Sequence, residues 1–452
     1  MNILIVGCGK AGSILTQTLA NEGHDITVMD TDSDVVNSLV NNNDVQGIVG
    51  GALIVRDLKE AGVSTANIII AMTDSDETNI MCCLMARKLG ARHSVARVRN
   101  PAYSEQMVFM REELGLSMMI NPEYQTANEI ARMLRYPKAM HVETFAKGRM
   151  DLAEIRVQEG SFLDGLHLAS ITAKMGLHML VCAVKRGEDI TIPDGSYQLK
   201  AGDIIYITAA HAELGKLYKK MSAFKSHIRS AIIVGGGKIG YYLLRQLLEL
   251  GIQVKIIEQD RSRCEQLSEW FPKATVVCAD GTDQDILQEE GLASTDSCIL
   301  LTGIDEENII VSFYAKKIGV EKVITKINRS SLLSISDSVG LENIVSPKET
   351  TAELILQYVR AKQNSENSNI ITLYRLADNK LEAIEFIVRG GAKYIGVPLK
   401  DLHVNPGFLI AGIIRNSKRI IPSGSDFLKE NDSVVVVTTN RKITSLDEMF
   451  TI

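Results

Sequence analysis

The chain has 452 residues, 45% hydrophobic and 23% charged, with a net charge of −6 at neutral pH. That length predicts three or four domains, at roughly 100–200 residues each, and the interspersed acids and bases exclude a polybasic face for nucleic acid or membrane. No apolar run approaches the roughly 20 residues that cross a bilayer, and seven cysteines without a CxxC pair exclude a disulfide framework in favour of reduced, buried thiols.

Residues 2–6 form a short apolar run ending in glycine, with no signal-peptide pattern before it, so a chain that is cytosolic or peripheral to a membrane is expected. An amphipathic stretch to Asn21 follows, then Ile26–Met29 ahead of Asp30, which reads as strand, helix, strand with Gly23 as the break. Further strands are predicted at Gln46–Val49, Ile68–Met72, Ser94–Val98 and Met118–Ile120, with helical patterns from Leu53, Glu77, Tyr103 and Pro122. Such alternation predicts an α/β, Rossmann-like, doubly wound parallel sheet. Cys82 and Cys83 lie within the apolar helix run Ile80–Leu89 and read as packing rather than as a redox pair.

From about Met140 the rhythm changes to short strands at Leu152–Val157, Met179–Val184, Asp189–Ile192 and Asp203–Ile207, punctuated by Pro193-Asp194-Gly195: a small mixed α/β module. A basic, less regular segment from Lys216 to Arg229 leads into a second copy of the same plan, and the polar stretch Lys362–Asn369 reads as a linker inside that copy.

The duplication is in register. The differences 235 − 7 and 258 − 30 both equal 228, while Thr73 to Thr302 and Asn79 to Asn308 are offset by 229. Gly160, Gly165, Leu168 and Pro193 are answered by Gly391, Gly396, Leu399 and Pro422. The expected division is therefore residues 1–138 and 225–364 as nucleotide-binding domains, with 139–224 and 365–452 as the small modules.

Each nucleotide fold carries a glycine loop between its first strand and helix, Gly7-Cys8-Gly9-Lys10-Ala11-Gly12 and Gly235-Gly236-Gly237-Lys238-Ile239-Gly240. In such a turn the first glycine permits the bend, the second lets backbone approach phosphate, and the third allows the helix to pack closely on the strand. The helix N-terminus then offers free N–H groups to an anion. An acid closes the second strand, Asp30 or Glu258, 18 residues after the last glycine in both copies, where it accepts hydrogen bonds from ribose and repels a 2′-phosphate. Neither loop has a serine or threonine after its lysine, so neither is a P-loop.

Lys10 and Lys238 sit inside the loops, either facing a terminal phosphate or solvated in the first turn. Arg97 and Arg99 stand at the carboxyl edge where such sheets bind ligands; their counterparts are Lys326 and Asn328, which predicts two unequal sites. Thr73 and Thr302 follow the fourth strand at that edge and also suit helix capping. Asp280 stands in the turn after the third strand, where the first copy has Gly51.

Taken together, the glycine loop with Asp30, Ala71-Met72-Thr73-Asp74 followed by Asn79, Ala96-Arg97-Val98-Arg99-Asn100-Pro101, Asn121-Pro122-Glu123 and the two proline-marked modules resemble the TrkA family along the whole chain. Members are peripheral regulatory subunits of Trk potassium uptake systems, built from two RCK (KTN) units in tandem. The resemblance implies NAD(H) and ATP or ADP as ligands, with the glycine loops on the phosphates, Asp30 and Glu258 on the riboses, and Thr73, Arg97, Thr302 and Lys326 lining the sites. It also implies a homo-oligomeric, tetrameric ring on the inner face of the cell membrane, gating an integral membrane potassium transporter subunit. Gly51 in place of an acid and Lys326 in place of an arginine depart from the family pattern.

A competing reading is an NAD-dependent oxidoreductase, which needs an acid–base residue and a substrate pocket. The eight histidines are scattered, and His167 and His178 read as ordinary core or surface residues. A third reading is a nucleotide sensor for a different transporter or an enzyme. Zinc spacing, a catalytic triad and a nucleophile elbow are absent from the sequence, so neither catalysis nor a metal is expected.

Overall fold

The computed structural model describes residues 1–104, 106–135, 139–145, 150–171, 176, 179–209, 213–214, 216–217, 228–336, 340–341, 343–367, 370–377, 380–416, 418–440, 443 and 445–451. His178 and most of the joining segment 216–229 lie outside these residues.

The first copy contains strands β1 (Asn2–Val6), β2 (Asp25–Asp30), β3 (Gln46–Val49), β4 (Ile68–Ala71), β5 (His93–Arg97) and β6 (Met118–Ile120). They form one sheet in the order β3-β2-β1-β4-β5-β6, every pair parallel. β1 and β4 are buried almost throughout, as expected of β-branched runs covered by helices on both faces. The strand order reverses between β1 and β4, opening a crevice at their carboxyl ends. Asp32 and Ser75 cap the two following helices, Ser33–Asn42 and Asp76–Lys88, each accepting hydrogen bonds from first-turn N–H groups.

The second copy repeats this order with Thr275–Cys278, Gln253–Glu258, Ser230–Val234, Ser297–Leu300, Lys322–Lys326 and Ile344–Val345. The two sheets belong to one compact unit, residues 1–134 with 228–356. The helix Pro122–Arg135, which ends the first copy, places Ala127, Ile130, Ala131 and Leu134 in one core with Ile239, Tyr242, Leu243 and Leu247 of the second. Polar contacts border that core: Asn121 Nδ2 donates to the Tyr242 hydroxyl at 2.9 Å, Gln246 Nε2 to Asn128 Oδ1 at 2.7 Å, and Thr350 Oγ1 to Glu129 Oε2 at 3.1 Å. The polar stretch from Lys362 is not a linker up to Asn367: the helix Pro347–Asn367 runs through it, because a solvated face needs no apolar residues to stay helical.

The other unit comprises residues 135–227 and 357–452. Each small module is a five-stranded antiparallel sheet. In the first, the order is Asp189–Thr191, Met179–Arg186, Ile204–Ala209, Met150–Arg156 and Ala139–Phe145, the last a strand that turn signals did not mark. Both modules carry the same fork on a buried aspartate: Arg186 Nε and Nη2 donate to the two Asp203 oxygens at 2.7 Å, and Arg415 does the same to Asp432 at 2.9 and 2.7 Å. Phe145, Leu152 and Tyr206 of the first module share a core with Leu381, Ala383 and Val435 of the second.

Candidate functional site

The first glycine loop is shaped by contacts rather than by freedom alone. Gly7 has φ +86°, and a Cβ there would stand 2.5 Å from the Thr73 backbone nitrogen; a Cβ on Gly12 would stand 2.3 Å from the Gly7 carbonyl oxygen. Gly9 meets nothing within 4 Å and faces open space. The loop is thus closed on its sheet side and open at Gly9.

Asp30 ends β2 with its carboxylate already oriented. Oδ2 accepts the Cys8 N–H at 2.6 Å and Oδ1 the Asp32 N–H at 3.0 Å, and Asp30 lines the cleft described below. The Cys8 side chain points into the core, where burial pushes its thiol up to about 12. Glu258 repeats the arrangement, accepting the Gly236 N–H at 2.6 Å and the Asp260 N–H at 2.9 Å. There Arg263 is added, its Nε donating to the Gly236 carbonyl at 2.7 Å and its guanidinium 5.2 Å from the Trp270 ring.

Across the crevice, Asn79 ties β4 to β5. Its Oδ1 accepts the Thr73 N–H at 2.7 Å and hydroxyl at 2.8 Å, while Nδ2 donates to the carbonyls of Thr73 at 3.0 Å and Arg97 at 2.9 Å. Thr302 and Asn308 repeat the clamp. Arg97 Nη2 donates to the Thr73 carbonyl at 2.7 Å, and burial followed by the neighbouring Arg99 lowers its basicity. Its buried Nε has no hydrogen-bond partner. Arg99 Nε donates to Glu123 Oε1 at 2.6 Å, while the buried Glu123 Oε2 is unpartnered.

These groups surround a cleft of about 720 Å³ that is lined by Gly7, Gly9, Lys10, Ala11, Gly12, Asp30, Thr73, Arg97 and Arg99. Ile239 and Lys326, which sequence reasoning assigned to the second copy's site, line this same cleft, as do Lys348 and Thr351. Lys326 Nζ reaches the Leu301 carbonyl at 3.1 Å, and burial lowers its basicity. Lys348 is lowered by burial and then by the nearby charge of Lys10. Asp30 and Asp32 mark the β2 end of the cleft, while Lys10, Arg97, Arg99, Lys326 and Lys348 gather on its other side, where Asp74 and Glu123 pair with Arg97 and Arg99. The arrangement fits a dinucleotide or nucleoside polyphosphate, with ribose at the acids and phosphates over the glycines.

Of the remaining predicted residues, Lys238 and Gly237 are exposed on the second loop, and Gly235 approaches Leu301 as Gly7 approaches Met72. The Asp280 carboxylate is exposed and accepts the N–H and hydroxyl of Thr282. Where the first copy has Gly51, the buried Asp57 reaches back instead to accept the Gly51 N–H at 2.9 Å. His167 is exposed with Nδ1 3.0 Å from the Ser196 carbonyl. Sequence reasoning missed Lys348 as a cleft residue; the signal was the alignment of Asn121-Pro122-Glu123 with Ser346-Pro347-Lys348, a reversal of charge at the start of equivalent helices.

The TrkA-N domain family matches residues 3–122 and 231–347, and the TrkA-C domain family matches residues 152–222 and 383–451. The Trk system potassium uptake protein TrkA of Vibrio alginolyticus is 30% identical over 98% of this chain and 97% of its own length. The TrkA homolog of Archaeoglobus fulgidus is 29% identical over the full length of both. Among solved structures, the GsuK channel bound to NAD superposes with a TM-score of 0.64 at 18% identity, covering 97% of this chain and 76% of that one. GsuK bound to ADP gives 0.50 at 16% identity, covering 80% and 69%. At those identities the likeness concerns fold, whereas the domain matches and the full-length relatives concern descent, and by these the chain belongs to the TrkA family of Trk system potassium uptake proteins.

Proposed function

We propose that this chain is the nucleotide-sensing regulatory subunit of a potassium uptake system. It binds NAD(H) or an adenine nucleotide such as ATP or ADP, works as a homo-oligomeric, tetrameric ring on the cytoplasmic face of the membrane, and gates a separate integral membrane subunit that conducts potassium. In this reading the chain is N-domain, C-domain, N-domain, C-domain, and carries no catalytic step of its own.

One observation carries the reading: a cleft with Asp30 and Asp32 at one end and Lys10, Arg97, Lys326 and Lys348 at the other is lined by residues of both copies. A ligand moves a conformational equilibrium only by as much as it binds the two states unequally. A polyanion in this cleft relieves the repulsion between Lys10 and Lys348, and so favours the arrangement that brings them together. A differential of about 1–3 kcal/mol is enough for a 5- to 150-fold regulatory effect. The buried, unpartnered Arg97 Nε supplies a donor that a phosphate oxygen satisfies. Ligands of both classes occur on GsuK channels of the same fold.

Calorimetric titration of the purified chain with ATP, ADP, NAD and NADH tests this. Binding without chemical change is expected, with Asp30→Ala weakening it about tenfold or more, the scale of a lost charged hydrogen bond. Unchanged affinity in that variant removes the first cleft as the site. Consumption of NADH once metabolites are added moves the reading to an oxidoreductase.

A further inference from the structure

The two copies differ at a pair of positions that share one backbone environment. In the first copy Asp30 pairs in register with Val49, and the Val36 N–H bonds the Asp32 carbonyl one turn into the following helix. In the second, Glu258 pairs with Cys278, and the Cys264 N–H bonds the Asp260 carbonyl. Val36 and Cys264 are both buried, and Val49 and Cys278 both exposed. Packing at these positions is thus satisfied by valine, and the second copy has a thiol at each instead.

The thiols meet. Cys264 Sγ donates to the Glu258 carbonyl at 3.1 Å, and the same oxygen accepts the Ala279 N–H at 3.0 Å, so one acceptor holds the Cys264 sulfur against the backbone that carries Cys278. Cys278 is thereby the neighbour of Cys264, and burial, followed by the nearby Cys278 thiol, pushes Cys264 up to about 12. Cys278 is open to solvent, whereas the other five cysteines are buried.

We infer that Cys264 and Cys278 form a reversible intrachain disulfide, a redox modification site of the second copy that takes hydrogen peroxide as oxidant. The Cys278 sulfur, as thiolate, attacks the peroxide O–O bond, forming an S–O bond and releasing hydroxide, which takes a proton to become water. The Cys264 sulfur then attacks Cys278; the S–S bond forms, the S–O bond breaks, and the departing hydroxyl leaves as water with the Cys264 proton. Each cysteine sulfur loses one electron, and the peroxide is reduced by two electrons and two protons to two waters. The crosslink ties the first turn of the helix Arg261–Trp270 to the strand end beside Glu258, a restraint the first copy cannot form.

The test uses the intact chain treated with hydrogen peroxide, alkylated, and cut with trypsin and an aspartate-directed protease. Peptide 264–273 joined to 274–279 is expected, released by dithiothreitol. The fluorescence of Trp270, the single tryptophan, on the same helix, is expected to change on oxidation and to return on reduction. Cys264→Val and Cys278→Val, which install the first copy's residues, should abolish the crosslink and the fluorescence change while the chain remains folded. A wild-type chain in which Cys278 passes to sulfinic acid without crosslinking, or in which the crosslink joins other cysteines, overturns the inference.

Discussion

The glycines of the first loop have different tasks, and substitution separates them. At Gly12 a methyl group collides with the Gly7 carbonyl oxygen, a backbone atom that cannot turn aside, so Gly12→Ala is expected to lower unfolding stability by about 1–3 kcal/mol in denaturant titration. At Gly9 the backbone has φ −58°, which any residue adopts, and a methyl group meets open space. Gly9→Ala should leave stability within about 0.5 kcal/mol of wild type and weaken nucleotide binding, because the methyl stands where phosphate would approach. The spacing of the loop made these three glycines legible in the sequence. Their division into bend, access and packing followed from that spacing too, and the structure adds the atoms met: the Thr73 backbone nitrogen at Gly7 and the Gly7 carbonyl oxygen at Gly12.

At the level of elements, the ends of β4 and β5 are held by one amide. The Asn79 side chain is fully buried and its four hydrogen bonds span both strand ends, including the carbonyl of Arg97. Asn79→Ala leaves buried backbone groups unpaired, each costing about 1–3 kcal/mol, and is therefore expected to destabilise the chain by at least about 2 kcal/mol in thermal or urea unfolding. Asn308→Ala should behave similarly, because Asn308 makes the same bonds to Thr302 and Lys326. The equal offset of Asn79 and Asn308 was visible as a repeat, but its meaning was not: an asparagine near a helix start also reads as a cap. Strands, helices and the parallel sheet were legible because the two-residue and 3.6-residue periods are local. The strand Ala139–Phe145 and the continuation of the helix to Asn367 were not: the strand is fixed by pairing with its neighbour, and the polar stretch extends a helix that begins at Pro347, which its own composition does not mark.

In the whole molecule, the first copy completes the second. Ile130 belongs to the first copy in sequence and is fully buried in a core made largely of second-copy residues. Ile130→Ala is expected to cost about 2–5 kcal/mol. Its effect should be read by Trp270, in the second copy, as a lowered unfolding midpoint; a midpoint unchanged at Trp270 would show that the copies unfold independently. The same mutual packing brings Lys326 and Lys348 to the first cleft, so that a ligand there contacts both copies at once. No helix among the described residues is long and apolar enough to cross a membrane.

By itself the sequence determined the duplicated α/β plan, the glycine loops and the acids that close the second strands, because each is written in short-range spacing that any copy of the motif must obey. Only the tertiary structure decided that Ile239, Lys326 and Lys348 line the first copy's cleft, that Asp57 accepts the Gly51 N–H, and that Cys264 lies beside Cys278. Those outcomes depend on which helix faces meet, and on side chains far apart in the chain that come to share one surface. Their energy comes from fitting together shapes and charges that no local pattern specifies.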